Sequence, residues 1–294
     1  MQSSQPTRTL VFVGAHPDDE SFGLGGTLAK YALEGVKVVY ACATRGEVGA
    51  ADPEHLQGFA TPGDMRWAEL ACAARELQLA DVIHLGYRDS GMPGSPDNHH
   101  PNALVAAPVE EVAGRVVKVL RELRPQVVIT FDPIGGYRHP DHIAIHSATV
   151  RAFHAAADPQ QFPDLGPILP AGMPQKLYYA VFARGVYRLA LRLLPLFGQD
   201  PRRYGRNKDI DLVSLAEVDF PVHARVRVRG DAVVMRQRAS ACHKSQLSSG
   251  PPASGLLGWL NRQLGNDETY MRAYPPVSAG ERVLERDLFE GVDV

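Results

Sequence analysis

The chain has 294 residues, 45% hydrophobic and 22% charged, which is enough to bury a full core and excludes a disordered, tail-like protein. Lys and Arg number 31 against 33 Asp and Glu, a net charge of -2, so no basic field exists to hold a nucleic-acid backbone. No uncharged apolar run of about 18 residues is present, and the opening MQSSQPTRTL lacks a secretory pattern, so the expectation is a soluble, cytoplasmic protein without a membrane span.

In chain order, the apolar run TLVFVGA (9–15) reads as a strand and 24–33 as a helix. VKVVYACA (36–43) reads as a strand, and 65–79, rich in Ala and Leu, as an amphipathic helix. DVIHLG (81–86) is the next strand, 108–123 a helix and QVVIT (126–130) a strand. Apolar strands alternating with helices predict an α/β fold, Rossmann-like, with a mostly parallel sheet covered on both faces. Past about residue 155 the periodicity weakens, and KLYYAVFA (176–183) reads as one more strand. The expected organisation is one domain, with a parallel core over 8–155 and a C-terminal extension over 156–294. Within the extension, 184–208 is a basic, partly helical insertion. Cys42, Cys72 and Cys242 are odd in number and far apart, and are expected to be reduced packing residues.

Ligands of such sheets bind beyond the carboxyl ends of the strands, where the loops converge. The segments that fall there are AHPDDE (15–20), TRGEVG (44–49), YRDSGM (87–92) and FDPIGGYRHPDH (131–142). His16, Asp18 and Asp19 follow the first strand; His139, Asp141 and His142 follow the fourth. Two imidazole–carboxylate clusters on one rim point to a metal, since zinc takes neutral imidazole nitrogen and carboxylate oxygen and a catalytic site uses three protein ligands. His16, Asp19 and His142 could supply them. The competing reading is that each HPD starts a helix, with Pro in the first turn and Asp capping free amides. His146 has no glutamate of an HExxH pair beside it and reads as core. FGLGG (22–26) does not match a dinucleotide fingerprint, and no P-loop or GxSxG elbow is present.

AHPDDE followed some 120 residues later by HPDH resembles the LmbE/PIG-L family of zinc-dependent N-acetylglucosaminyl deacetylases, which includes enzymes of mycothiol and bacillithiol synthesis. TRGEVG, Arg66, RDSGM, GGYRHPDH and, more loosely, CHKSQ (242–246) and ETYMRAYP (268–275) extend the likeness over most of the chain. The resemblance implies that His16, Asp19 and His142 hold Zn2+ and that Asp18 is the general base; by its chemistry a two-His, one-carboxylate set also accepts Fe2+. It implies that protonated His139 and Tyr137 stabilise the oxyanion and that Asp141 orients His139. Glu47, Arg66, Asp89, Met92 and His243 are the implied substrate contacts, although Arg66 could equally pair with Glu47 or Asp89. The implied reaction removes acetate from an N-acetylglucosaminyl small molecule. An amidase for larger N-acyl groups and a non-catalytic sugar-binding protein are the alternatives, and a homo-oligomer stays open.

Overall fold

In the computed structural model, the described residues are 8–49, 51–181, 191, 193–198, 200–203, 211–215, 217–247, 267–278 and 280–293. Most of the basic insertion at 184–208 therefore lies outside them. The elements are β1 (Thr9–Gly14), α1 (Asp19–Phe22), α2 (Gly25–Leu33), β2 (Lys37–Cys42), α3 (Pro62–Glu76) and β3 (Asp81–His84). Then follow α4 (Val109–Leu123), β4 (Val127–Phe131), α5 (Gly135–Arg138, a single irregular turn), α6 (Pro140–Ala155) and β5 (Lys176–Val181). Beyond a helical turn at Leu212–Leu215 come β6 (Ala224–Arg227), α7 (Asp231–Cys242) and β7 (Asp267–Tyr274).

One seven-stranded sheet runs β3-β2-β1-β4-β5-β7-β6. Its first five strands are mutually parallel, as their apolar runs and intervening helices predict. β1 and β4 lie at its centre, and every residue of both is buried. The C-terminal part of the chain adds β7 antiparallel to β5, and β6 antiparallel to β7. Helices α2, α3 and α7 pack together, and α4 packs on α6.

Strand order reverses between β1 and β4, so the loops after these two strands diverge and open a crevice between them. Those loops carry the two histidine–aspartate clusters. α6 starts at the crevice with Pro140 in its first turn, and its far end is fixed by Arg121 of α4, whose buried guanidinium donates to the carbonyls of Ala156, Asp158 and Gln161. At the start of α2, the buried Glu268 of β7 accepts the N–H groups of Gly26 and Thr27 at 3.0 and 2.6 Å. An acidic side chain contributed by the last strand thus caps a helix of the first βαβ unit.

The cysteine expectation is corrected. Cys72 of α3 and Cys242 at the end of α7 form a disulfide across 170 residues of sequence, and only Cys42 is free and buried. Spacing along the chain carries no trace of this pairing, because the contact between α3 and α7 is tertiary.

Candidate metal centre

The crevice brings His16, Asp19 and His142 together. His16 Nδ1 stands 3.2 Å from His142 Nε2, Asp19 Oδ1 is 3.3 Å from that same nitrogen, and Asp19 Oδ2 is 3.9 Å from His16 Nδ1. A tetrahedral ion with bonds of about 2.0–2.1 Å separates its donors by about 3.3–3.4 Å; the two imidazole nitrogens, at 3.2 Å, are near that spacing, and Asp19 meets them through different oxygens, Oδ1 on His142 and Oδ2 on His16. Asp19 Oδ2 also accepts the N–H groups of Ala15 and His16 at 3.0 and 2.7 Å, which aims Oδ1 at the crevice. Burial alone would raise the Asp19 carboxyl, yet His142 and His16 hold it well below the usual carboxylate range. His139 is near as well, its ring centroid 4.5 Å from that of His16 and 5.1 Å from that of His142, and the three imidazoles form a second donor group. Phe131 stacks on His142 at 3.8 Å and Tyr137 packs edge-on against it at 5.0 Å, so apolar rings wall the site.

His16 Nε2 faces Asp141 Oδ2 at 3.0 Å and Asp89 Oδ1 at 3.5 Å. Asp141 is fully buried and also accepts Ser90 N at 2.9 Å and the Ser90 hydroxyl. This carboxylate–imidazole pair directs the opposite nitrogen, Nδ1, at the donor cluster. The expectation that Asp141 orients His139 is therefore corrected: the Asp141 carboxylate lies on His16, and only its backbone N–H reaches His139 Nδ1, at 3.2 Å. That bond also makes His139, rather than an aspartate, the cap of α6, so the helix-start reading of HPDH is realised together with the cluster. A protonated His139 is corrected too. Burial and the facing imidazoles of His16 and His142 push it down to about 2, so the ring is neutral, with Nδ1 accepting and its proton on Nε2.

Asp18 sits at the crevice mouth, its Oδ2 accepting Arg66 Nη2 at 3.0 Å. Burial lifts its carboxyl to about 6, against the opposing pull of Arg66. Arg66 is buried and pairs with neither Glu47 nor Asp89. It donates to Pro17 O at 2.6 Å, to Gly46 O at 3.1 Å and to Asp18. TRGEVG and Arg66 belong to one device, because a Cβ on Gly46, at φ +69°, would fall 2.1 Å from Arg66 Nη1.

Glu47 accepts Asp89 N at 3.0 Å. Asp89 is buried, with Oδ1 on Gly91 N and Oδ2 on Val48 N, and so faces His16 more than any open pocket. Met92 is half-buried in the loop after β3. His243 does not reach the rim: it is fully buried and its Nε2 lies 2.7 Å from Glu20 Oε1. His146 bonds to Phe131 O at 2.8 Å, as a core residue does. Ser90 and Glu20 were given no role by the sequence, although both stand inside motifs that it singles out.

The PIG-L family model, described as GlcNAc-PI de-N-acetylase, matches residues 11–153. A 1D-myo-inositol 2-acetamido-2-deoxy-alpha-D-glucopyranoside deacetylase of Geodermatophilus obscurus is 37% identical over 98% of this chain and 99% of its own. The chain belongs to the PIG-L family. A Streptomyces scabiei member with the same description is 38% identical over 96% of this chain and 89% of its own. Among solved structures, N,N'-diacetylchitobiose deacetylase from Pyrococcus horikoshii superposes with a TM-score of 0.59 at 19% identity, over 91% of this chain and 84% of that one. GalB, the 4-carboxy-2-hydroxymuconate hydratase from Pseudomonas putida, superposes with a TM-score of 0.57 at 17% identity, over 92% of this chain and 98% of that one. The fold therefore serves more than one reaction, and the reaction has to be read from the crevice. Among the described residues, no helix is long and apolar enough to cross a membrane.

Proposed function

We propose that the protein is a metal-dependent deacetylase that removes acetate from an N-acetylglucosaminyl small molecule, with an inositol glycoside as the first substrate to test. The observation that carries this reading is the convergence of His16 Nδ1, His142 Nε2 and the Asp19 carboxylate beside the separate carboxylate of Asp18. The relatives named as deacetylases of an acetamido-glucopyranosyl inositol support the substrate class.

His16, Asp19 and His142 would hold the ion. Zinc bound there supplies Lewis acidity that lets a water molecule lose its proton near pH 7, and ferrous iron suits the same donors. Asp18 takes that proton: Arg66 engages Oδ2, which leaves Oδ1 to receive it. His139, neutral with its proton on Nε2, donates to the acetamide oxygen as negative charge develops there, and Tyr137, edge-on to His139 at 5.7 Å, gives a second donor. Asp18 then passes its proton to the leaving amine. Glu47 and Met92, half-buried in neighbouring rim loops, contact the sugar, and Asp89 shapes the loop between them.

The test is Asp18→Ala, followed by acetate release and metal content. Turnover should fall by about 10²–10⁴-fold with the bound metal retained, and chelation should abolish the turnover of the wild type. Full activity in the variant refutes the base assignment. Release of longer acyl groups in preference to acetate moves the reading to an amidase.

A further inference from the structure

The turn that carries Asp18 is fastened from the opposite end of the chain. Asp18 adopts φ +121°, a region that residues with a side chain rarely occupy, so the surrounding structure has to impose it. Its backbone N–H donates to Glu20 Oε2 at 2.9 Å. Glu20 is fully buried, and its other oxygen accepts the Ser21 hydroxyl at 2.5 Å and faces His243 Nε2 at 2.7 Å. A carboxylate removed from water persists only when it is paired, and His243, itself fully buried, is the imidazole that pairs with it.

Nothing local aims His243 at this turn; its neighbours do. It follows α7 directly and is preceded by Cys242, which is bonded to Cys72 of α3. Two residues on, Ser245 N and Oγ donate to Glu69 of α3 at 2.8 and 2.7 Å. Phe22, in the last position of α1, lies over the imidazole at 5.7 Å. The histidine is therefore held against α3 from both sides in sequence while its ring presses on Glu20.

We propose that His243 is a positioning residue for the deacetylation described above: through Glu20 it keeps the Asp18 backbone in its unusual conformation and so sets the direction of the Asp18 carboxylate. It does not contact substrate, because it has no exposed surface. The inference rests on Asp18 as the base, but the backbone statement can be tested without turnover.

His243→Ala should lower kcat by about 100-fold, the effect of roughly 1 Å of misplacement, with KM within about twofold and metal content unchanged. His243→Gln, whose amide can donate to Glu20, should recover about tenfold of that loss. In a Glu20→Ala background, His243→Ala should cost no more than about threefold further, since residues acting through one another do not add. Hydrogen exchange of the peptide spanning 16–22 should quicken in His243→Ala and return toward the wild-type rate in His243→Gln. An unchanged kcat, a raised KM with kcat preserved, or the full loss persisting in the Glu20→Ala background would each overturn the proposal. If the wild type releases no acetate from any N-acyl glucosaminyl compound, the deacetylase reading fails while hydrogen exchange still decides on His243: unchanged exchange overturns its role. Should His243→Ala not melt cooperatively, His243→Asn and His243→Gln carry the test. Better kcat and slower exchange in Gln, with its longer reach, support the proposal, and equal values overturn it.

Discussion

Replacing Asp141 by asparagine separates two roles that the sequence alone does not distinguish. The carboxylate accepts three donors, His16 Nε2 at 3.0 Å, Ser90 N at 2.9 Å and the Ser90 hydroxyl. An asparagine can turn its oxygen toward His16 and Ser90 N and its NH2 toward the Ser90 hydroxyl, which already accepts Val105 N at 3.2 Å and would have to accept again. The fold should survive, losing the extra strength of charge-assisted bonds, about 1 kcal/mol for each of the two retained donors. His16 would face a neutral partner and become a weaker ligand. A change of this kind next to a ligand histidine costs about 10–100-fold in metal affinity, or about 1.4–2.7 kcal/mol at about 1.36 kcal/mol per tenfold. Chelator competition with zinc, read alongside a denaturant melt, measures both quantities. If Asp141→Asn kept wild-type metal affinity and lowered only kcat, the carboxylate would be acting on His139, and its assignment to His16 would be wrong. Asp141→Ala leaves His16 Nε2 and Ser90 N without an acceptor, and should destabilise by about 1–3 kcal/mol for each.

Arg66→Lys should also be damaging despite keeping the charge, because one ammonium cannot match the planar fork that spans Pro17 O, Gly46 O and Asp18. Each buried carbonyl left without a donor costs about 1–3 kcal/mol, visible as a lower urea midpoint; an unchanged midpoint would contradict the buried fork. A third prediction concerns Glu285, buried among Lys176 at 2.8 Å, Arg272 at 2.6 Å and Tyr178 at 2.5 Å. Burial would raise its carboxyl, but these partners hold it below the ordinary value of 4.5. Its contribution is therefore full above the unfolded pKa and is lost as pH falls through the lower folded one. Glu285→Gln should destabilise by about 3–5 kcal/mol at pH 7, and its difference from the wild type should narrow on titration below the ordinary carboxyl value; a difference independent of pH would remove the charge from the explanation.

The first five strands were legible because buried parallel strands are continuous apolar runs, and the crevice followed from their order. β6 and β7 were not legible: ARVR alternates buried and exposed side chains, and DETYMRAY carries a carboxylate and a tyrosine that are buried only because Glu268 caps α2 and Tyr270 bonds to Thr27. Residue type placed His16, Asp19 and His142 on one rim, since β1 and β4 had to be neighbours for their loops to meet. Side-chain direction was beyond reach. Asp141 is two positions from His139 in sequence, yet at the start of α6 it turns toward the loop after β3 and toward His16. Arg66 could be foreseen as buried and paired, but not with Asp18, because that contact requires Gly46 to let the guanidinium pass. His243 and Cys242 each meet a partner far away in sequence, and a lone histidine or cysteine holds no record of which one.

Glu268 gives the order of synthesis a meaning. On a ribosome, β1, α2, β2 and both loops that carry the histidine–aspartate clusters emerge long before β7, so the Gly26 and Thr27 amides at the head of α2 wait without their acceptor until β7 arrives. The nascent N-terminal half is thus an unfinished object whose helix α2 is completed by a residue of β7, made more than 200 residues later. Expressed alone, a fragment ending at Ala155 would contain His16, Asp19, His139 and His142 and still lack the carboxylate that caps α2 and the histidine that pairs with Glu20. Nascent chains stalled before and after residue 268 should therefore differ in protease resistance across 16–33, with this segment becoming resistant only once β7 has been made.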